Sequence, residues 1–217
     1  MYLLEKISNN LAEGIAAEMS YDQDRKEVIA YGAYAIMQIG LSILMVVLFG
    51  ILFGVAAEAL VVSLSGAWLR RYTGGAHASS PNICIIVGTV ACIGFALLSR
   101  LTLFTNVRVT GTLVLVVHTA AFGLIHRLAP VASENKPIPE KKRPGLKRGG
   151  MVTNTVYLLV SAGTIAAAIF LKKSELLAYP VCMALGVFWQ IFSMTHVGEV
   201  CLRALDRLLS FKRTTTD

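Results

Sequence analysis

The stretch VIAYGAYAIMQIGLSILMVVLFGILFGVAAEALVVSLSGAWL, residues 28–69, contains one charged residue, Glu58. A bilayer core of roughly 30 Å is crossed by about 20 helical residues, so a run of this length reads as two spans. They fall near 28–50 and 54–69, with the chain turning around Gly50 to Gly54. Working outward, further apolar stretches lie at about 83–99, 109–125, 152–171 and 176–196. Six spans result, with the second and fourth short enough that full crossing stays open for both. The fold class expected is an all-α polytopic integral membrane protein with a six-span membrane domain over 28–196.

Composition agrees. Of 217 residues, 55% are hydrophobic and only 15% charged, against roughly 25% charged in a soluble globule. Such a chain has too few charges to wet a globular surface, so much of that surface faces lipid.

Residues 1–27 have a different pattern. Glu5, Lys6, Asn9, Asn10 and Glu13 interrupt any apolar core of a cleavable signal, so none is expected. Leu4, Ile7, Leu11, Ile15 and Met19 recur at helical spacing, with Glu5, Lys6, Asn9 and Glu13 on the opposite face. This predicts an amphipathic helix, lying in the membrane interface or packed on the bundle.

The basic residues orient the spans. Twenty Lys and Arg stand against thirteen Asp and Glu, a net +7. The N-terminal segment, loop 70–82, loop 126–151 and the tail 197–217 together carry sixteen of the twenty. The other side has Arg100, Arg108, Lys172 and Lys173. The positive-inside rule then puts both termini in the cytoplasm. A charge excess explained by topology calls for no nucleic-acid partner. Four cysteines without paired metal-ligand spacing suggest neither a disulfide framework nor a zinc site.

Chemistry is concentrated in RRYTGGAHASSPNIC, residues 70–84, between spans two and three. His77 and Cys84 are seven residues apart, roughly 10 Å along a continuous helix and too far for a hydrogen bond. Gly74, Gly75 and Pro81 disfavour a continuous helix, so an irregular turn can fold His77 back onto Cys84. At neutral pH a free thiol is only a few per cent thiolate, and an imidazole that takes its proton activates it. The N–H groups of Gly74 and Gly75 are available to an oxyanion. The competing reading is an interfacial histidine and an inert thiol.

Arg70, Arg71, Gly74, Gly75, His77, Ser80, Pro81 and Cys84 resemble the signature of the accessory gene regulator B (AgrB) family, membrane cysteine endopeptidases of Gram-positive quorum sensing. The resemblance extends over nearly the whole chain, from the amphipathic N-terminus to the basic loop before the fifth span. It implies that His77 is the base and Cys84 the nucleophile. It implies also that an AgrD-like propeptide is cut and held as an acyl-enzyme. A Cys or Ser of that peptide then closes a thiolactone or lactone ring, with no metal or organic cofactor. Homodimers are common in such a family, yet no clear GxxxG seam marks one here.

Other residues have plainer readings. Asn82 either orients His77 or ends the turn. Ser79 and Ser80 read either as nucleophiles of a serine enzyme or as residues that shape the loop, and the second is favoured because Cys84 is the stronger nucleophile. His126 and His196 are interfacial. His118 lies near the middle of span four, where a hydrogen bond to a neighbouring helix is the simpler reading and a functional group the sharper one. Glu58 is read as interfacial, and Cys92, Cys182 and Cys201 as packing residues. The segment KPIPEKKRPGLKR, 136–148, is at least a positive-inside determinant held by anionic lipid. Its Lys141, Lys142 and Arg143 are also candidates to capture an acidic propeptide segment. The alternative to an endopeptidase is a peptide exporter or channel, which would string ionisable residues along the span interiors. Only His118 and Glu58 are available for that.

Overall fold

The computed structural model describes residues 2–75, 81–131 and 138–211. Every regular element among them is helical: α1 Tyr2–Met19, α2 Gln23–Leu52, α3 Ala56–Thr73, α4 Pro81–Ser99, α5 Val107–Leu128, α6 Arg143–Leu171, α7 Ala178–Ser193 and α8 His196–Phe211. Short 3-10 turns at Thr102–Thr105, Glu140–Lys142 and Ser174–Leu177 join them. The chain divides into two units, Met1–Met45 and Val46–Asp217.

In the first unit, α1 turns Ser8, Ala12 and Ala16 to its covered side. Ile7, Leu11, Ile15 and Met19 remain exposed, which suits a helix whose apolar stripe faces lipid rather than protein. Lys26 Nζ lies 2.9 Å from Glu13 Oε1, tying α1 to the first turn of α2.

In the second unit, α7 is the central helix. Val181, Cys182, Ala184 and Val187 are fully buried. One core joins Leu69 of α3, Val114, Val117, Ala121 and Ile125 of α5, and Ala184, Val187 and Ile191 of α7. A second joins Val46, Val55, Ala59, Ile93 and Ala96. The α3–α7 crossing depends on small residues. A Cβ on Gly186 would sit inside the Val62 carbonyl and the Ser65 hydroxyl, and one on Gly66 would lie 3.2 Å from the Gly186 carbonyl. Between apolar helices in lipid, such close backbone approach supplies the dispersion contact that the hydrophobic effect cannot.

Among the described residues, five helical segments are long and apolar enough to cross a bilayer: Gln23–Leu52, Asn82–Ser99, Val107–Leu128, Glu140–Leu171 and Ser174–Ser193. They match five of the six expected spans. The fourth expected span, judged short from sequence, is part of the 22-residue α5. The second is α3, an 18-residue helix with Glu58 near one end and Arg70 and Arg71 near the other. Those charges keep it out of the strongly apolar class, although Ala59, Val62, Leu69 and Thr73 on its core face are buried.

Glu58, read from sequence as interfacial, is in the first turn of α3. It is 8% exposed, and its Oε1 pairs with the Arg100 guanidinium at 2.6 Å. A carboxylate taken from water needs a paired cation, and the end of α4 supplies one. The span expected at 176–196 is α7 together with the 3-10 turn before it, and ends at Ser193. The tail then re-enters a helix, α8. Its Val197, Val200 and Cys201 are exposed, so Cys201 does not pack in the core. The basic segment before span five is helical from Arg143, with Pro144 in the first turn, where its missing N–H is no loss.

Candidate functional site

The sequence around residue 73 dictates a sharp end to α3. Gly74 and Gly75 have φ of +68° and +135°, values that L side chains rarely adopt. The Gly74 N–H still bonds the Arg70 carbonyl, closing the last helical turn. Beyond it, three successive carbonyls are each taken by a different part of the chain. That of Thr73 accepts from the Val131 N–H at 2.9 Å. That of Gly74 accepts from Gln190 Nε2 at 2.6 Å. That of Gly75 accepts from Arg70 Nη2 at 3.4 Å. Helix ends leave carbonyls without partners, and here those of Thr73, Gly74 and Gly75 are met by donors from outside the α3 backbone ladder.

Packing fixes the turn laterally. A Cβ on Gly74 would overlap the Val131 carbonyl, and one on Gly75 would lie 2.7 Å from Ser193 Oγ. Gly149 of α6 lies against the Tyr72 ring, and Gly150 against Thr73 and Ile125. The turn therefore sits at the end of the bundle where α3, α5 and α7 finish and α6 begins.

Cys84 is in the first turn of α4 and half-buried. Arg70, on the last turn of α3, is half-buried as well. Burial lowers the Arg70 pKa from its ordinary value, and the charge of Cys84 acts in the opposite sense, raising it. Arg71 is turned out, with its guanidinium 5.7 Å from the Trp68 ring.

Of the residues singled out from sequence, Arg70, Gly74, Gly75 and Cys84 come together at this end, with Asn82 half-buried in the first turn of α4. His77, Ser79 and Ser80 lie outside the described residues, while Pro81 opens α4. Lys141 and Lys142 are exposed in the 3-10 turn before α6, and Arg143 Nε is 3.4 Å from Glu140 Oε1. His118 is fully buried, its Nδ1 2.7 Å from Asn154 Oδ1, while Asn154 Nδ2 donates to the His118 carbonyl at 3.1 Å. The simpler reading of His118, a hydrogen bond between helices, agrees with this geometry. Among the described residues no cluster of His, Cys, Asp and Glu is arranged to hold a metal ion.

Sequence reasoning missed Gln190 and Ser193. Gln190 is 1% exposed and Ser193 2%. A glutamine inside an otherwise apolar span was the available signal, because an amide at that depth needs partners.

Helical topology and apolar segments define an all-helical polytopic membrane protein, with an arginine, a thiol and a double-glycine turn gathered at one end of its bundle. The family model for accessory gene regulator B matches residues 5–194. The chain is 34% identical over 209 residues to putative AgrB-like protein 2 of Clostridium perfringens (strain 13 / Type A), covering 94% of this chain and 97% of that protein. A putative AgrB-like protein of strain SM101 is also 34% identical, over 207 residues. Accessory gene regulator protein B of Staphylococcus intermedius is 27% identical over 144 residues, 66% of this chain and 71% of that protein. This chain belongs to the accessory gene regulator B family. No solved structure matches it.

Proposed function

We propose that this protein serves an accessory gene regulator system as a membrane cysteine endopeptidase that processes an AgrD-like propeptide. The observation that carries the reading is the Gly74–Gly75 turn at the end of α3, held by Gln190 and met by Arg70, with half-buried Cys84 in the first turn of the next helix, in a chain of this family.

In this reading His77 takes the Cys84 proton, and the Sγ attacks the scissile carbonyl carbon. The tetrahedral oxyanion is met by the Gly75 N–H; that of Gly74, expected from the sequence to be available as well, is taken by the Arg70 carbonyl at 2.9 Å. As the C–N bond breaks, His77 returns the proton to the leaving amine and the N-terminal part of the peptide stays on Cys84 as a thioester. A thiol or hydroxyl of the same peptide then attacks that carbonyl, its S–C or O–C bond forming as the bond to Cys84 breaks. His77, neutral again, takes the proton of the attacking group, the ring closes and the Cys84 thiolate is regenerated. Held at the thioester, the internal nucleophile has a large effective concentration. A site of low water activity limits the competing hydrolysis. Ser80, Pro81 and Asn82 shape the loop between base and nucleophile.

The remaining assignments follow from the same reading. Residues 1–27 lie in the interface as a platform for a membrane-bound substrate, and both termini and residues 70–82 and 126–151 face the cytoplasm. Lys141, Lys142 and Arg143 attract an acidic stretch of the propeptide, with anionic lipid as the neighbouring surface. A non-proteolytic exporter has less support, since Glu58 is paired with Arg100 and His118 is bonded to Asn154.

The test is cleavage in reconstituted liposomes, with the released C-terminal fragment read by mass. Wild type yields the fragment, and neither Cys84→Ala nor His77→Ala does. A fragment released undiminished by Cys84→Ala removes the nucleophile assignment.

A further inference from the structure

We propose that α8 lies in the membrane–water interface of the leaflet where α7 ends, with Val197, Val200, Cys201, Ala204 and Leu205 turned into the lipid. The inference uses the membrane-spanning fold and is independent of the peptidase mechanism.

Those five residues stand at i, i+3, i+4, i+7 and i+8, the spacing that gathers side chains on one side of a helix. His196, Glu199, Arg203 and Arg207 fall on the other side. There Arg203 Nη2 lies 2.6 Å from Glu199 Oε1. The apolar side is not packed on the bundle. Val197 is 62% exposed and Val200 50%, and Cys201, Ala204 and Leu205 are exposed as well. Single exposed apolar residues are ordinary, but a continuous stripe of them marks a surface that something covers.

What covers it follows from where α8 begins. The span Ser174–Ser193 ends with α7, and only Met194 and Thr195 separate α7 from α8. The connection is fixed. Thr195 Oγ1 donates to the Phe192 carbonyl at 2.7 Å and accepts from the Gly198 N–H at 3.1 Å, which makes it the N-cap of α8. A Cβ on Gly198 would overlap that same Phe192 carbonyl. Along a continuous helix six residues rise about 9 Å, so this contact means that α8 turns aside instead of extending the α7 axis out of the bilayer. A helix that leaves the end of a span sideways starts at headgroup depth, where an apolar stripe meets acyl chains. Because Glu199 already pairs with Arg203, apolar burial holds the helix more than attraction to anionic headgroups does.

The experiment uses the full chain in phosphatidylcholine liposomes, with the environment-sensitive fluorophore NBD on Cys201. Cys84 and Cys92 are half-buried, Cys182 is buried and Cys201 is exposed, so limiting reagent labels Cys201 first, and peptide mass confirms the site. A companion protein, Cys201→Ser/Arg203→Cys, has the label on the polar side. The Cys201 label is expected to emit to the blue and to resist aqueous iodide. Nitroxide lipids should quench it from about 5–10 Å below the headgroups. The label at position 203 should emit as in water and be quenched by iodide severalfold more. Val200→Glu/Leu205→Glu should raise iodide quenching at Cys201 severalfold and leave the melting temperature of the bundle unchanged, since both side chains are exposed.

Equal iodide quenching at the two positions overturns the proposal, because α8 then stands in water. Shielding of Cys201 from iodide without quenching by nitroxide lipids overturns it too, and gives the face to protein. If that shielding is lost as the protein is diluted into more lipid, the covering protein is a second copy of this chain.

Discussion

Gln190 donates to the carbonyl of Gly74, 116 residues earlier in the chain, at 2.6 Å. The bond joins the most buried helix of the bundle to the turn that leaves α3, and makes the geometry of that turn a property of the tertiary fold.

Gly75 is the position where this arrangement tolerates least. A Cβ there would approach Ser193 Oγ to 2.7 Å, on a backbone at φ +135°. Gly75→Ala is expected to destabilise the protein by about 1–3 kcal/mol, the usual range for a residue held in a sparsely populated backbone region. A thermal melt in detergent reads the loss. Cleavage should fall further than stability does, because the displaced carbonyl is the one that Arg70 contacts.

Arg70 tests the contact on the turn. Replacing it with Gln removes the guanidinium that meets the Gly75 carbonyl, so kcat for the propeptide should fall by about tenfold, the worth of one hydrogen bond to a charged group. Arg70→Lys keeps a charge without the planar fork. It should retain more activity than Arg70→Gln and less than wild type. Equal rates in all three proteins at pH 7 would refute a role for the guanidinium.

The Glu58–Arg100 pair makes a contrasting prediction. It lies near the start of α3, about 20 Å along the helix from Thr73 at 1.5 Å per residue. Glu58→Gln leaves Arg100 without its carboxylate at a site where Glu58 is 8% exposed. Buried pairs broken on one side lose about 3–5 kcal/mol, and the half-exposed Arg100 should bring this nearer to about 2 kcal/mol. The melting temperature falls while kcat at a permissive temperature does not. A matched drop in kcat would mean the two ends of the bundle are coupled.

For the basic segment the variable is salt. Neutralising Lys141, Lys142 and Arg143 should weaken propeptide binding to liposomes more at low ionic strength than at high, since the Debye length shrinks from about 30 Å at 0.01 M to about 10 Å at 0.1 M. The same loss at every salt concentration contradicts electrostatic capture. Arg143 alone should matter least of the three, because it already faces Glu140.

Hydropathy made the helical class and most of the spans legible because lipid demands uninterrupted apolar helices. It did not reveal α8, whose mixed Glu199, Arg203 and Arg207 read as a polar tail until the exposed Val197 and Val200 are seen on the helix. Nor did it pair Glu58 with Arg100, a relationship across 42 residues that local patterning does not encode. At the site, glycines announced the turn by their conformational freedom, and Arg70 and Cys84 stood in the same short stretch. Gln190 did not, because a side chain that acts through space leaves only an out-of-place amide in an apolar run. His77, the base in the proposed mechanism, lies outside the described residues.

The central claim is an acyl-enzyme on Cys84, and its most direct measurement is the intact mass of the protein after brief exposure to propeptide. The account predicts an added mass equal to the N-terminal part of the peptide, mapped to Cys84, released by neutral hydroxylamine and absent in Cys84→Ala. Cleavage at full rate with no adduct at any time point, or an adduct that survives hydroxylamine, would contradict it.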